Sequence, residues 1–120
     1  MRGPATFSGR RLQEIRLRRG LTQSQLARRA EVGEKQIVRW ENDQHVPRAD
    51  AVGVLASALE VDVGDFYERA DDGEEDEESD LVRLAAELEA RGQLDMADEL
   101  RARAKRIAAG RRRVRARAGA

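Results

Sequence analysis

The chain is expected to be all-α, on three observations. Apolar residues recur three and four positions apart in each of its segments, which is the spacing of one helical face. Aromatic residues make up only 3% of the 120 residues while charged ones make up 38%, so the core must be built from Leu, Ile, Val and Ala, a composition that suits helices. The stretch Leu21 to Asn42 (LTQSQLARRAEVGEKQIVRWEN) carries two such faces in a row, Leu26, Ala27 and Ala30 and then Ile37, Trp40 and Glu41, with Val32 between them. Two short helices broken at about Glu31 to Gly33 follow from that pattern, and such a pair needs flanking helices to complete a core.

The elements can be taken in order. Met1 to Phe7 carries Gly3 and Pro4 and is expected to fray. Ser8 caps a first helix over Gly9 to Arg19, with Leu12, Ile15 and Leu17 pointing inward and Arg10, Arg11, Arg18 and Arg19 facing water. Gly20 ends it in the left-handed conformation that glycine permits. Thr22 caps the second helix, and Gln25, three residues on, completes a capping box. Gln23, the first residue inside, sits where a helix N-terminus can approach a phosphate. After the turn, the inner face of the third helix leaves Glu34, Lys35, Gln36, Val38 and Arg39 on its outer side. Long, polar and forked side chains at the start of an exposed helix are what reading base edges in a DNA major groove requires.

The DQHVP loop leads to Pro47 and a helix over about Arg48 to Leu59, whose inner stripe is Val52, Leu55, Ala58 and Leu59, with Ala51 and Val54 at its margin. Asp62 caps a short last helix, Val63 to Tyr67, and Phe66 closes the core. Residues 70–79 (ADDGEEDEES) have too little apolar surface to offset chain entropy and read as a flexible acidic linker. The oxygen spacing of the twelve-residue calcium loop is absent from it. Beyond it, Leu81, Leu84, Ala85 and Leu88 share one face of a helix over Asp80 to Arg91. Gly92 breaks the chain, and Ala97, Leu100, Ala104 and Ile107 share a face of a helix over Leu94 to Ala109. A hairpin of this size is too small to stay folded alone. It either packs on a second copy as a four-helix dimerisation unit or packs back on its own N-terminal domain. Residues 110–120 (GRRRVRARAGA) form a basic tail that can track DNA phosphates, enter a minor groove, neutralise the acidic linker, or simply be solvated.

Leu21-Thr22-Gln23, Leu26-Ala27, Val32, Ile37, Trp40-Glu41-Asn42 and Pro47 together resemble the signature of the lambda-repressor-like (Cro/cI-type, xenobiotic-response-element) helix-turn-helix family. The similarity runs from about Ser8 to Tyr67, about half of the chain. It implies a five-helix lambda-repressor-like helix-turn-helix domain, here followed by a C-terminal helical hairpin, with the third helix docked in the major groove of a double-stranded DNA operator, usually as a homodimer. The positions matching base-reading residues are Glu34, Lys35 and Arg39, with Gln36 and Val38 close by. Arg39 suits a guanine, Glu34 can accept from cytosine, and Lys35 reaches guanine or phosphate. Thr22, Gln23, Asn42 and Arg48 match backbone-contacting positions. The resemblance also implies a partly buried ion pair between Arg16 and Glu41, which the residues alone read equally well as two solvated charges.

The chain departs from the family where Glu31 and Glu60 stand for the usual glycines and Gly33 for a serine or threonine. The turn from Glu31 to Gly33 is expected to cost on the order of 1 kcal/mol for that. Nothing in residues 68–120 resembles a nameable family.

Net charge is zero, but it is segregated. Residues 1–70 hold twelve Lys or Arg and ten Asp or Glu, 71–80 hold none and eight, 81–100 two and five, and 101–120 nine and none. Such blocks argue against one uniform globule. The divisions expected are a flexible N-terminus at 1–7, a DNA-binding domain at 8–69, the acidic linker at 70–79, the hairpin at 80–109 and the basic tail at 110–120. The N-terminus has no apolar run, and nothing later approaches the roughly 18 apolar residues of a membrane span. A cytoplasmic protein, on the nucleoid when bound, is expected by default.

Catalysis is not expected. There is no cysteine, the single histidine, His45, lies in a polar loop without a plausible partner, and the acidic residues near 71–80 are not positioned as general acids or bases need to be. No glycine-rich phosphate loop, metal site or cofactor motif is present. Trp40 falls in the register of the core. The class expected is a transcriptional regulator, probing DNA through the helix 34–42 and acting as a repressor. The alternatives are an antitoxin-type regulator whose residues 80–109 bind a partner protein, and an architectural DNA binder that uses the basic tail.

Overall fold

The computed structural model describes residues 5–69 and 77–119. They fall into two compact units, Met1–Asp72 and Gly73–Ala120. The expected helical class holds, with a two-stranded sheet added to it.

In the first unit, α1 (Gly9–Arg18), α2 (Gln23–Ala30), α3 (Glu34–Glu41) and α4 (Ala49–Leu59) surround a core of Leu12, Leu26, Ile37, Val52, Leu55, Leu59 and Phe66, with Trp40 at 3% exposure. α1 packs on α3, and α2 packs on α3 and α4. Ser8 caps α1, its hydroxyl accepting from the Arg11 amide at 3.2 Å. At α2, the Thr22 hydroxyl accepts from the Gln25 amide at 3.1 Å and Gln25 Oε1 accepts from the Thr22 amide at 2.9 Å, so both halves of the capping box are made. Gly33 starts α3 without a side-chain cap.

Several expectations are corrected. Ala5–Phe7, within the segment expected to fray, is a strand, β1, and residues 1–4 of that segment lie outside the described residues. It pairs antiparallel with β2 (Tyr67–Arg69), and the Ser8 amide donates to the Phe66 carbonyl at 2.8 Å. Phe7 packs on Phe66 and edge-on to Tyr67, with centroids 6.1 and 6.2 Å apart, so aromatic packing fixes the end of β1. The last helix of this unit is a 3₁₀ turn, Val63–Phe66, and Tyr67 leaves it for the sheet. Arg10 is buried because Glu14 and Glu68 neutralise it, at 2.6 and 2.8 Å. On α4 the buried stripe is Val52, Leu55, Ala56 and Leu59, while Ala58 is half-buried.

Helices α1 to α4 end alike. A residue at the cap, Glu31 (φ 56°) and Glu60 (59°), or just after it, Gly20 (72°) and Asp43 (58°), lies in the left-handed region. Each pair of closing amides bonds back into the helix, as Leu21 and Gly20 do to the carbonyls of Arg16 and Leu17 at 3.1 and 2.9 Å. This satisfies carbonyls that the helix itself leaves open.

In the second unit, α5 (Glu77–Ala90) packs against α6 (Leu94–Gly119). Leu81, Leu84, Ala85 and Leu88 are buried on α5, and Ala97, Leu100 and Ala104 on α6, with Ile107 half-buried. Gly92 (φ 82°) closes α5 in the same way as the other helices, the Gln93 amide donating to Leu88 at 2.9 Å. α5 begins at Glu77, so the last residues expected as linker are helical, and the rest of it, 70–76, lies outside the described residues. The basic tail is not separate: α6 runs on through Gly110 to Gly119. Arg and Ala are strong helix formers, and one interior glycine, which costs about 1 kcal/mol, does not stop a helix among them. No helix among the described residues is long and apolar enough to cross a membrane.

Candidate nucleic-acid interface

Helix α3 is divided lengthwise. Ile37 is 0% exposed, Trp40 3% and Glu41 1%, which fixes one side of the helix in the core. On the other side Glu34, Lys35 and Arg39 are exposed and Gln36 and Val38 half-buried. Among the described residues, none is hydrogen-bonded to the side chains of Glu34, Lys35, Gln36 or Arg39. The side carrying two cations and two polar forks is thus presented without being engaged.

What holds that side in place is a buried polar cluster at the other end of the helix. Arg16 Nε and Nη2 donate to Glu41 Oε2 and Oε1 at 2.5 and 3.0 Å, a bidentate pair with side chains 1% and 2% exposed. Arg16 Nη1 donates to the Leu21 carbonyl at 2.9 Å, which ties in the lead to α2. Gln23 joins the same carboxylate, its Nε2 donating to Glu41 Oε1 at 3.1 Å. Three helices are therefore keyed to one carboxylate, and charge-assisted bonds of fixed geometry set their relative positions. Gln23 is half-buried, and its amide faces this cluster as well as the start of α2.

A second lock was not foreseen in the sequence. The left-handed turn at Asp43 brings its carboxylate to the N-terminus of α1, where Oδ1 accepts from the Gly9 amide at 2.9 Å. A Cβ added to Gly9 would lie inside van der Waals distance of the Trp40 and Glu41 carbonyl oxygens, so α1 begins directly against the end of α3. The available signal was Asp at a helix end, a residue type that tolerates the left-handed conformation and bonds to nearby backbone.

The remaining residues singled out in the sequence flank α3. Thr22, Asn42 and Arg48 are exposed, at the α2 cap, just after α3 and just before α4. Lys35, Gln36 and Arg48 share an open groove of about 690 Å³ with His45, Val46 and Pro47. Val46, 74% exposed, is an apolar member that the sequence reading passed over. Glu34 and Arg39 are not among the groove's lining.

A family model described as a helix-turn-helix domain matches residues 9–66. No curated protein and no solved structure matches the chain. The match begins at the first residue of α1 and ends at Phe66, the last of the 3₁₀ turn, so it encloses the buried cluster and both sides of α3. Residues 9–66, just under half of the chain, thus match a helix-turn-helix domain, which is consistent with a DNA-binding domain of the lambda-repressor-like kind.

Proposed function

We propose that the chain is a sequence-specific transcriptional regulator that binds its operator as a homodimer and acts as a repressor, reading the major groove with α3. The observation that supports this most is the exposed and unengaged face of Glu34, Lys35, Gln36 and Arg39, on a helix whose opposite face is locked to α1 and α2. Arg39 would pair its fork with guanine, Glu34 would accept from cytosine, and Lys35 would reach guanine or phosphate. Thr22, Gln23, Asn42 and Arg48 would hold the sugar-phosphate backbone and so set the register without reading sequence. Repression needs only that a bound dimer stand in the way of polymerase. The family is typically non-enzymatic, and we assign no reaction to this chain. A cytoplasmic protein on the nucleoid is the setting this reading requires.

Selection of bound sites from random DNA tests it. Two half-sites about 10 base pairs apart, centre to centre, are expected if two α3 helices lie on one face of the duplex. On the selected site, Arg39→Ala is expected to lose about 1–3 kcal/mol and to relax the preference at one base pair, while Gln23→Ala and Arg48→Ala weaken all sequences alike. An Arg39→Ala protein with unchanged affinity and preference would remove α3 as the reader.

A second reading rests on the separate unit formed by α5 and α6. Here residues 80–109 bind a partner protein, as the antitoxin half of a toxin pair would, while the first unit represses its own operon. A stoichiometric second protein on purification from the native source favours this, and a pure self-associated dimer favours the first reading.

A further inference from the structure

The C-terminal half of α6 has a chemistry that the helix-turn-helix domain does not use. From Arg101 to Ala120 the chain carries nine Lys or Arg and no acid. α6 is 26 residues long against 14 for α5, its partner in the hairpin. Burial follows the shorter helix: Leu100 and Ala104 are buried, and residues 107–110 only half-buried. The excess of α6 over α5 spans about 18 Å at roughly 1.5 Å per residue. Arg111, Arg112, Arg113, Arg115 and Arg117 all fall in it.

Cations near a helix C-terminus are favoured by the helix dipole, but that effect fades beyond the last turn. It accounts for Arg117 and not for Arg111 to Arg113, which lie further in. Meanwhile Arg111 with Arg115 and Arg113 with Arg117 are like charges four apart, and each such pair destabilises a bare helix. A helix of this kind is relieved by a polyanion alongside it. All five cations are arginine, whose planar fork suits phosphate oxygens. One DNA strand presents a phosphate about every 3.4 Å, so an 18 Å helix runs past about five of them.

We propose that residues 111–117 are a sequence-indifferent arm that grips the phosphate backbone of the DNA that the first unit binds. The arm rests on the DNA-binding reading of residues 9–66, and it adds affinity and salt dependence without adding sequence preference. Each phosphate contact releases condensed counterions, which makes the arm measurable as a slope.

The test uses the full chain in which Arg111→Gln, Arg112→Gln, Arg113→Gln, Arg115→Gln and Arg117→Gln are combined, with the same five positions changed to Lys as a second variant. Glutamine and lysine both keep helix propensity, and circular dichroism checks the helix content. Binding to the selected duplex, to a scrambled duplex and to phosphatidylserine vesicles is titrated across salt concentration. Against the natural chain, the glutamine variant is expected to show a log K versus log salt slope shallower by about 3–4.5, since each lost contact removes about 0.9. Affinity for both duplexes falls by a common factor of at least about tenfold at low salt, the ratio between them is unchanged, and the lysine variant keeps the steep slope. An unchanged slope overturns the arm. So does a rise in duplex affinity on substitution, which would mean the arm pairs with the acidic residues 71–80 of its own or another copy. Charge-dependent vesicle binding with duplex binding unaltered overturns it too. The two readings fail separately: the arm is read in the slope, and α3 in the ratio between selected and scrambled duplex.

Discussion

The two units are held together by different means. In the first, directional bonds reach between elements: Arg16 and Gln23 to Glu41, Asp43 to Gly9, and Arg10 to Glu68 across to β2. In the second, the buried residues of α5 and α6 are Leu and Ala apart from Arg103, at 9% exposure, and the pair between the helices formed by Arg101 with Glu89 is exposed. Apolar burial is non-directional, so such a seam fixes that two helices meet more firmly than it fixes their register. A bidentate pair fixes angle and distance at once. The polar locks lie where one face of a helix has to be aimed, and the apolar seam where two helices have only to stay together.

That contrast can be broken by experiment. Glu41→Ala would strand Arg16 in the core and is expected to cost about 3–5 kcal/mol. The change is read by urea unfolding followed through Trp40, the chain's single tryptophan, which reports the first unit alone. The counterpart Glu89→Ala in the second unit is expected to leave the helix melting curve where it was, as exposed pairs contribute little. Comparable losses from both would erase the distinction. The combined change Arg16→Met with Glu41→Leu sharpens it: stability should return, since replacing both partners of a buried pair is often neutral, while DNA affinity should not, since Gln23 loses its anchor.

Gly9→Ala comes next. Its methyl must displace the carbonyls at the end of α3, at a cost of about 1–3 kcal/mol, and the shift of α1 against α3 should appear as weaker operator binding in the same samples. The smallest effects lie at the left-handed caps. Glu31→Gly and Glu60→Gly should each stabilise the first unit by roughly 0.5–1 kcal/mol in the same urea titrations, because a side chain at positive φ is strained. Asp43→Gly should gain nothing, since it gives up the bond to the Gly9 amide, worth about 1 kcal/mol. A gain at Asp43 equal to the other two would show that this bond holds nothing.

What the sequence disclosed was local. The Thr22 and Gln25 capping box, the left-handed Gly20 and the inward Trp40 each follow from residues within one turn of one another. What it concealed was long in range. Arg10 looks like a water-facing cation until Glu68, 58 positions away, arrives beside it. Gln23 reads as an unanchored side chain at the start of α2 until Glu41, 18 positions on, accepts from its amide. Strands of three residues are too short to show a period of two, so β1 and β2 left no pattern. The continuation of α6 was hidden by the opposite error: residues 110–120 read as a separate basic tail, although Arg and Ala favour helix.

The pairing of Ala5 with Arg69 places the entrance and the exit of the first unit side by side. Everything between them is therefore a closed excursion of the chain, which can be lifted out of one polypeptide and set into a surface loop of another without stretching either. Domains whose ends meet in this way tolerate insertion and circular permutation. A host carrying residues 5–69 in such a loop would acquire the DNA-binding fold without acquiring a dangling terminus.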